Sequence, residues 1–282
     1  MATPPERSSV HSLAWQAALL LLTLAVLAWR AWPDKTLQVI FLETSGDAAL
    51  IVTPAGGYVL IDGGSDPAAL AAALGRAMPF WRRSLDAVVL TSADMAHLPG
   101  QVAALARYRT GLVLAPPMLG HSALVAEWRR LLQANQTPVH VARAGQRLEF
   151  AGVALYVLAA EPAEGAGLVL RLEYGATSVV FDHSGGDAGE RVLAGVAQRP
   201  ANLLAFPWQR DAHIPFVAAL HPQSIVLTDG FAADRPAEQT FTARAIGGAR
   251  LYHEQLNGAI TWRSDGRHAW VTTERFSDAY QH

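Results

Sequence analysis

The chain has 282 residues and a net charge of −2 at neutral pH, and 51% of its residues are hydrophobic. This length and composition allow one large domain with a full apolar core plus an appendage. The absence of cysteine excludes disulfides, thiolate metal ligands and cysteine nucleophiles. The balanced charge lacks the basic footprint of nucleic-acid-binding proteins, so composition does not support DNA binding.

The first apolar segment, residues 13–32, has Arg30 as its only charged residue and is about as long as the ~20 residues that a helix needs to cross a bilayer. Trp15 lies near one end and Trp29 near the other, where interfacial aromatic residues are common. We interpret this segment as a single transmembrane helix that follows an N-terminal tail, residues 1–12. A cleaved signal peptide and a buried core helix are the alternatives, although no small-residue cleavage site is evident.

After a short linker, residues 36–275 alternate apolar runs with amphipathic segments, which indicates one α/β domain and leaves residues 276–282 as a C-terminal tail. The first three apolar runs are separated by turn residues and predict an antiparallel meander. The predicted strands are 37–42, 48–53, 58–62, 86–91, 111–114, 138–141, 147–150, 153–158, 168–174, 177–182, 224–228, 249–253, 259–263 and 269–273, and the predicted helices are 67–78, 100–107 and 121–134. This order indicates two sheets with helices on their outer faces.

The stretch VVLTSADMAHLPG, residues 88–100, has the form of a metal-binding loop. A buried apolar strand leads into a polar loop that ends at His97, and an amphipathic helix then begins near Gly100. A strand, a ligand loop and a helix in this order are a common way to hold a metal ion.

This loop and the earlier stretch FLETSGDAALIVTPAGGYVLIDGGSDP, residues 41–67, resemble the metallo-β-lactamase-like domain at the C-terminus of ComEC competence proteins. The family motifs read F-L-D-V-G-Q-G-D-A and T-H-P-[HD]-x-D-H-[IL]-x-G. The resemblance covers residues 36–275 and implies an αββα metallo-β-lactamase sandwich, here preceded by one transmembrane helix. It also implies that Asp62 packs behind the metal loop in a structural role.

The resemblance implies a degenerate metal pattern in the 88–100 loop. Ser92 stands where the family has its first His, and Ala96 replaces the family Asp. Asp94 is an accepted variant at the second position, and His97 is intact. We therefore expect Asp94 and His97 as residual metal positions.

The second half of the chain departs from the family pattern as well. Counting back from the helix that begins near Glu190 places Ser184 at the position of the bridging Asp, although Asp182, His183 and Asp187 lie close by. In the family a strand ends in P-H-H-G-S, whereas this chain has Trp208 after Pro207.

The last family histidine corresponds to Arg235. His213, five residues past the expected position, is interpreted as a loop residue. We expect Trp208 and Arg235 to fill the former metal cavity around Asp94 and His97, and the alternative is that both side chains turn out to solvent.

Our first hypothesis is a membrane-anchored, ComEC-like protein whose metal centre has decayed, acting as a non-catalytic binding or structural module without a cofactor. The alternative is a metal-dependent hydrolase, a nuclease or phosphodiesterase, with one weakly bound Zn²⁺ or Mn²⁺ held by Asp94, His97 and one of Asp182, His183 or Asp187. The predicted partners are the membrane and an unidentified protein, and nucleic acid enters only through the resemblance. Flanking charges slightly favour a cytoplasmic C-terminus, whereas the resemblance favours an extracytoplasmic domain at the cell membrane.

Overall fold

The computed structural model describes residues 15–23, 35–150, 152–163, 166–183, 193, 199–229 and 246–275. The chain divides into one unit before Lys35 and a second that begins there. In the first, residues 15–23 form a helix, and the remainder of the predicted span 13–32 lies outside the described residues. Among the residues described, no helix is both long and apolar enough to cross a membrane. The transmembrane segment, the tails 1–12 and 276–282 and the membrane location therefore stay predictions.

The second unit is built from short strands and short helices. The strands are β1 (Leu37–Phe41), β2 (Ala48–Val52), β3 (Tyr58–Asp62), β4 (Ser84–Val89), β5 (Arg109–Ala115), β6 (Val139–Val141), β7 (Arg147–Phe150), β8 (Val153–Ala160), β9 (Leu168–Tyr174), β10 (Thr177–Asp182), β11 (Leu203–Pro207), β12 (Ser224–Thr228), β13 (Arg250–His253), β14 (Ile260–Ser264) and β15 (Ala269–Thr273). The described helices are α1 (Pro67–Ala77), α2 (Leu98–Arg107), α3 (Ala123–Ala134), α4 (Pro215–Leu220) and α5 (Glu254–Asn257).

These strands form two mixed sheets. One has the order β15-β14-β1-β2-β3-β4-β5-β6, and the other has the order β13-β12-β11-β10-β9-β8-β7. The first three strands form the predicted antiparallel meander, after which β3, β4, β5 and β6 run parallel to one another. Because β1 runs parallel to β3, the carboxyl ends of β1 and β3 to β6 share one edge of the first sheet.

Three apolar layers hold the sandwich together. The inner layer joins both sheets, for example through Phe41 and Phe181, whose ring centroids are 6.0 Å apart. A second layer packs α1, α2 and α3 against the outer face of the first sheet, and a third packs α4 against the second sheet. This is the αββα arrangement expected from the alternation of strands and helices.

The helices that carry the loops of the site have identifiable start signals and anchors. Asp66 caps α1 by accepting hydrogen bonds from the first-turn N–H groups, as its N-cap position predicts. In the core, Gln101 of α2 donates to the carbonyl of Val89 and accepts from the indole N–H of Trp128 in α3. This buried network ties α2 to the strand that precedes the 88–100 loop.

Most predicted strands and helices are confirmed with shifts of one or two residues at their ends. The short helices α4 and α5 were not predicted. The sequence of α5 reads Glu-Gln-Leu-Asn, and Gly258 follows with a φ of 67°.

Candidate metal centre

The site lies where loops from both sheets meet at the carboxyl edge of the first sheet. The loop before β2 is joined to the 88–100 loop because the N–H of Asp47 donates to the carbonyl of Ala96, 3.0 Å away. The turn after β3 holds the other side, since the N–H of Gly63 donates to the carbonyl of His97, 2.8 Å away. A Cβ on Gly63 would overlap the backbone of α2, so glycine is needed for this close approach.

His97 ends the 88–100 loop and is buried, with 1% of its surface exposed. Its Nδ1 atom lies 2.5 Å from Oδ1 of Asp94, and its Nε2 atom lies 3.3 Å from Oδ2 of Asp47. Asp94 also accepts the N–H of Ala96, which fixes its carboxylate behind the ring. Because Asp94 accepts at Nδ1, the ring directs Nε2 towards Asp47.

His183 follows the end of β10 and approaches the same point from the second sheet. It is 4% exposed, and its Nδ1 atom lies 3.0 Å from Oδ2 of Asp62. Asp62 also accepts from the N–H and the hydroxyl of Thr91, which confirms its predicted structural role behind the loop. The buried Nε2 atom of His183 makes no hydrogen bond within the described residues and lies 3.5 Å from Oδ2 of Asp47.

Asp47, His97 and His183 therefore direct three donor atoms to one point. One ligand atom from each lies within 4.8 Å of the others, and all three residues are buried. Each histidine has a carboxylate at Nδ1, the pattern in which an outer carboxylate orients a metal-ligating imidazole. Zinc bonds of 2.0–2.2 Å in tetrahedral geometry separate ligand atoms by about 3.3–3.6 Å. The distances of 3.3 and 3.5 Å from Asp47 agree with that spacing, so these residues fit a divalent metal ion.

The same carboxylates set the electrostatics of the cluster. Burial alone would lower the pKa of His97, but Asp47, Asp62 and Asp94 together hold it well above its ordinary value. Burial also opposes protonation of His183, and Asp47 and Asp62 raise its pKa nevertheless. For Asp94, burial opposes ionisation, yet the hydrogen bond from His97 keeps its pKa below the usual range. The pocket thus concentrates negative charge, which suits a cation.

The structure brings only some of the predicted metal positions together. His97 belongs to the cluster, and Asp94 contacts the opposite side of the His97 ring. Of the candidates around the end of β10, His183 joins the cluster. Asp182 instead is fully buried and lies 3.7 Å from Nη1 of Arg210. Ser184 and Asp187 lie outside the described residues.

Of the two residues expected to fill the cavity, the structure describes Trp208 but not Arg235. The Trp208 ring packs edge-on against His253, with centroids 6.4 Å apart, and its backbone N–H donates to the carbonyl of Thr228. Arg235 lies outside the described residues, so the plug around Asp94 stays a prediction. His213 is a loop residue beside Asp211 with 63% of its side chain exposed, as predicted.

Two acidic side chains lie beside the site at the end of the second sheet. Asp229, directly after β12, accepts a hydrogen bond from Nε2 of Gln255, 2.7 Å away, and Nε2 of His253 lies 3.4 Å from the Asp229 carboxylate. The nearby Glu254 is 2% exposed, and burial with the charges of Asp229 and Asp47 raises its pKa well above the ordinary value.

Sequence reasoning missed Asp47 as a ligand. It lies inside the S-G-D-A stretch that matches the family opening motif, directly before the apolar strand β2. An acidic residue that precedes a fully apolar strand was the available signal. Asp47 and His97 are 50 positions apart in the sequence, and the pairing of β2 with β3 and of β3 with β4 brings them together.

A two-sheet αββα sandwich with a metal-capable cluster at its strand ends is the metallo-β-lactamase fold. The chain is similar in structure to the metallo-β-lactamase fold protein YhfI from Bacillus subtilis, with a TM-score of 0.53 at 15% identity over 83% of this chain and 99% of that one. It is also similar to a diphosphatase from the PhnP family, with a TM-score of 0.52 at 15% identity over 81% and 97% of the two chains. A putative metal-dependent hydrolase from Parabacteroides distasonis gives a TM-score of 0.50 at 12% identity over 77% and 92%.

No protein-family model matches the sequence, and no curated protein matches it. At these identities the comparisons establish the fold. The chain therefore has the metallo-β-lactamase fold.

Proposed function

We propose that this protein is a metal-dependent hydrolase that uses one divalent ion held by Asp47, His97 and His183. The observation that carries the proposal is the convergence of two Nε2 atoms and one carboxylate oxygen on one buried point. Catalytic zinc sites have three protein ligands and leave one position for water or substrate, whereas structural sites have four. The three ligands therefore favour a catalytic site.

Each residue of the cluster has a definable task. Asp94 and Asp62 hold the Nδ1 protons of His97 and His183, so that both Nε2 lone pairs stay directed at the site. Asp47 supplies the negative charge that balances a cation. When bound, the ion supplies the Lewis acidity that makes water a nucleophile near neutral pH.

The substrate class that we propose is a phosphodiester. Its support is the motif resemblance of residues 41–67 and 88–100 to the soluble domain of ComEC proteins. The net charge of −2 offers no general attraction for a long polyanion, so a short or small phosphodiester is preferred. Attachment to the cell membrane by residues 13–32, with the domain on the extracytoplasmic side, is part of the same proposal.

The proposal is tested on the full-length protein by metal analysis and by hydrolysis of bis(p-nitrophenyl) phosphate with added Zn²⁺ or Mn²⁺. We expect about one metal ion per chain and metal-dependent turnover, both lost in the His183→Asn variant. The matched control is His213→Asn, because His213 is exposed and lies outside the cluster. Absence of stoichiometric metal in the wild-type protein would refute the proposal.

The second candidate function is that of a binding module without catalytic activity. In such a module the three cluster residues either hold a metal ion or form a charge cluster without one. Two observations favour it. Ser92 and Ala96 replace ligands of the resembled family, and the three cluster residues are almost inaccessible to solvent. Metal binding without turnover on any phosphodiester would select this candidate.

A further inference from the structure

The edge of the first sheet opposite the candidate metal centre exposes two large aromatic side chains. Phe80 and Trp81 lie between the end of α1 and the start of β4, with 80% and 54% of their surfaces exposed. Their rings contact each other edge to face, with centroids 4.8 Å apart. Neither side chain contributes to the apolar layers of the sandwich. Folding alone therefore does not explain why this loop carries them.

Four exposed arginines lie at the same end of the first sheet as this aromatic pair. They are Arg76 in the last turn of α1, Arg83 in the same loop, Arg107 in the last turn of α2 and Arg109 at the start of β5. Within the described part of the chain, none of the four forms a salt bridge with a carboxylate, whereas the neighbouring Arg82 pairs with Asp86. We name Phe80, Trp81 and these four arginines the aromatic-basic patch.

The sheet topology brings two of these arginines together. The N–H of Arg109 donates to the carbonyl of Arg83, 3.0 Å away, where the parallel strands β4 and β5 begin. Arg76 and Arg107 have favourable positions at the C-terminal ends of helices, which explains part of their placement. Arg83 and Arg109 lie outside the helices, so the concentration of positive charge on this edge requires a further reason.

We propose that the aromatic-basic patch docks on the surface of a membrane that contains anionic lipids. Aromatic rings settle at the level of lipid headgroups, and arginines are attracted by anionic headgroups. The patch thus combines both interactions on a protein whose net charge is −2, so its charge is local and complementary to an anionic surface.

The entry point of the chain agrees with this orientation. Lys35 precedes β1, and β1 runs parallel to β4, so the domain begins at the edge that carries the patch. The edge with the candidate metal centre lies a strand length away from this one, roughly 17–20 Å.

The absence of cysteine makes a site-specific test practical. A Phe80→Cys variant carrying the environment-sensitive fluorophore NBD is reconstituted as the full-length chain into phosphatidylcholine vesicles with or without phosphatidylglycerol. The matched control carries the label at Met118→Cys, an exposed position after the opposite end of β5. We expect a blue shift and higher emission at position 80 only with phosphatidylglycerol, and no change at position 118.

Charge dependence is tested with Arg83→Gln and Arg109→Gln combined in the labelled chain. Each basic residue near an anionic surface changes such an equilibrium about five-fold, so we expect the ratio of docked to undocked protein to fall about 30-fold. The charge-matched control is Arg129→Gln with Arg143→Gln, two exposed arginines outside the patch. If the patch variant does not fold, charge dependence is tested with salt instead. Rising salt concentration must then reduce the blue shift and the emission of the chain labelled at position 80.

Three outcomes would overturn the proposal. The first is an emission at position 80 that equals that at position 118 with both lipid compositions. The second is an equal blue shift in neutral and anionic vesicles. The third is a concentration-dependent shift in detergent without lipid, which would assign the patch to self-association.

Discussion

The Asp47→Asn substitution tests the metal centre most directly. It replaces the carboxylate whose Oδ2 atom lies 3.3 and 3.5 Å from the two histidine Nε2 atoms. Asparagine has nearly the same shape but carries no charge. The histidines and their carboxylates Asp62 and Asp94 remain, so the variant removes one of the three proposed ligands without emptying the site.

The expected effect follows from linkage between metal binding and folding. A ligand at 100 times its Kd stabilises the native state by about 2.7 kcal/mol. For a domain of this size, each kcal/mol corresponds to about 2–4 °C in Tm. Zinc should therefore raise the Tm of the wild-type protein by roughly 5–11 °C at that concentration, and should raise the Tm of Asp47→Asn much less.

The assay is thermal unfolding followed by circular dichroism, in chelator and in a zinc titration. In chelator the variant should also be less stable, because removing one partner of a buried charge cluster costs about 3–5 kcal/mol. His213→Asn serves as the control and should respond to zinc as the wild type does. The reasoning is refuted if zinc leaves the wild-type Tm unchanged while Asp47→Asn loses stability in chelator, since the cluster would then be a metal-free ion network.

Three further predictions concern the surroundings of the site. Asp94→Ala should retain zinc binding but weaken it about 10–100-fold by calorimetric titration, because it orients His97 rather than replacing a ligand; complete loss of binding would instead make Asp94 a ligand. Gly100→Ala should destabilise the domain by about 1–3 kcal/mol in urea unfolding, because a Cβ there would overlap the carbonyl of Gly63. Its control, Gly75→Ala in the last turn of α1, should be neutral or stabilising, because a Cβ there meets no atom within 4 Å. The pKa of Glu254 is raised in the folded state. At pH values above the pKa of an unfolded glutamate, about 4.3, the folded protein therefore binds more protons than the unfolded protein. The contribution of Glu254 to the free energy of unfolding should then fall as the pH rises towards the folded pKa. Glu254→Gln should remove this slope, and equal pH slopes in urea unfolding of both proteins in chelator would contradict the prediction.

Much of the fold could be predicted because it depends on short-range patterns. Buried strands such as β2 are continuous apolar runs, and the ends of α1 are marked locally by Asp66 and by the residues that follow Ala77. The motif resemblance then indicated how the strands are arranged, and the structural comparisons agree with the metallo-β-lactamase fold. Local patterns failed for α4 and α5, because these helices are too short for a periodic signal.

The candidate site was predictable only where the chain itself groups its residues. His97 and Asp94 are three positions apart, and the loop between β4 and α2 places them in contact whatever the rest of the chain does. Counting along the sequence placed Ser184, which lies outside the described residues, at the bridging position, and the ring of the neighbouring His183 enters the site. A shift of one residue at the end of a strand changes which side chain faces inward, and motif spacing does not resolve such a shift.

The sequence by itself determined the order of most strands and of the three longer helices of the sandwich, the absence of thiolate chemistry and the loop that carries His97. Only the tertiary structure decided that Asp47 and His183 converge on that histidine, because their positions depend on strand pairing within each sheet and on the packing of the two sheets. The same is true of the aromatic-basic patch, whose arginines are collected from four places by the parallel start of β4 and β5 and by the ends of α1 and α2. Local propensity acts over a few residues, whereas the chemistry of both surfaces requires residues brought together by long-range contacts.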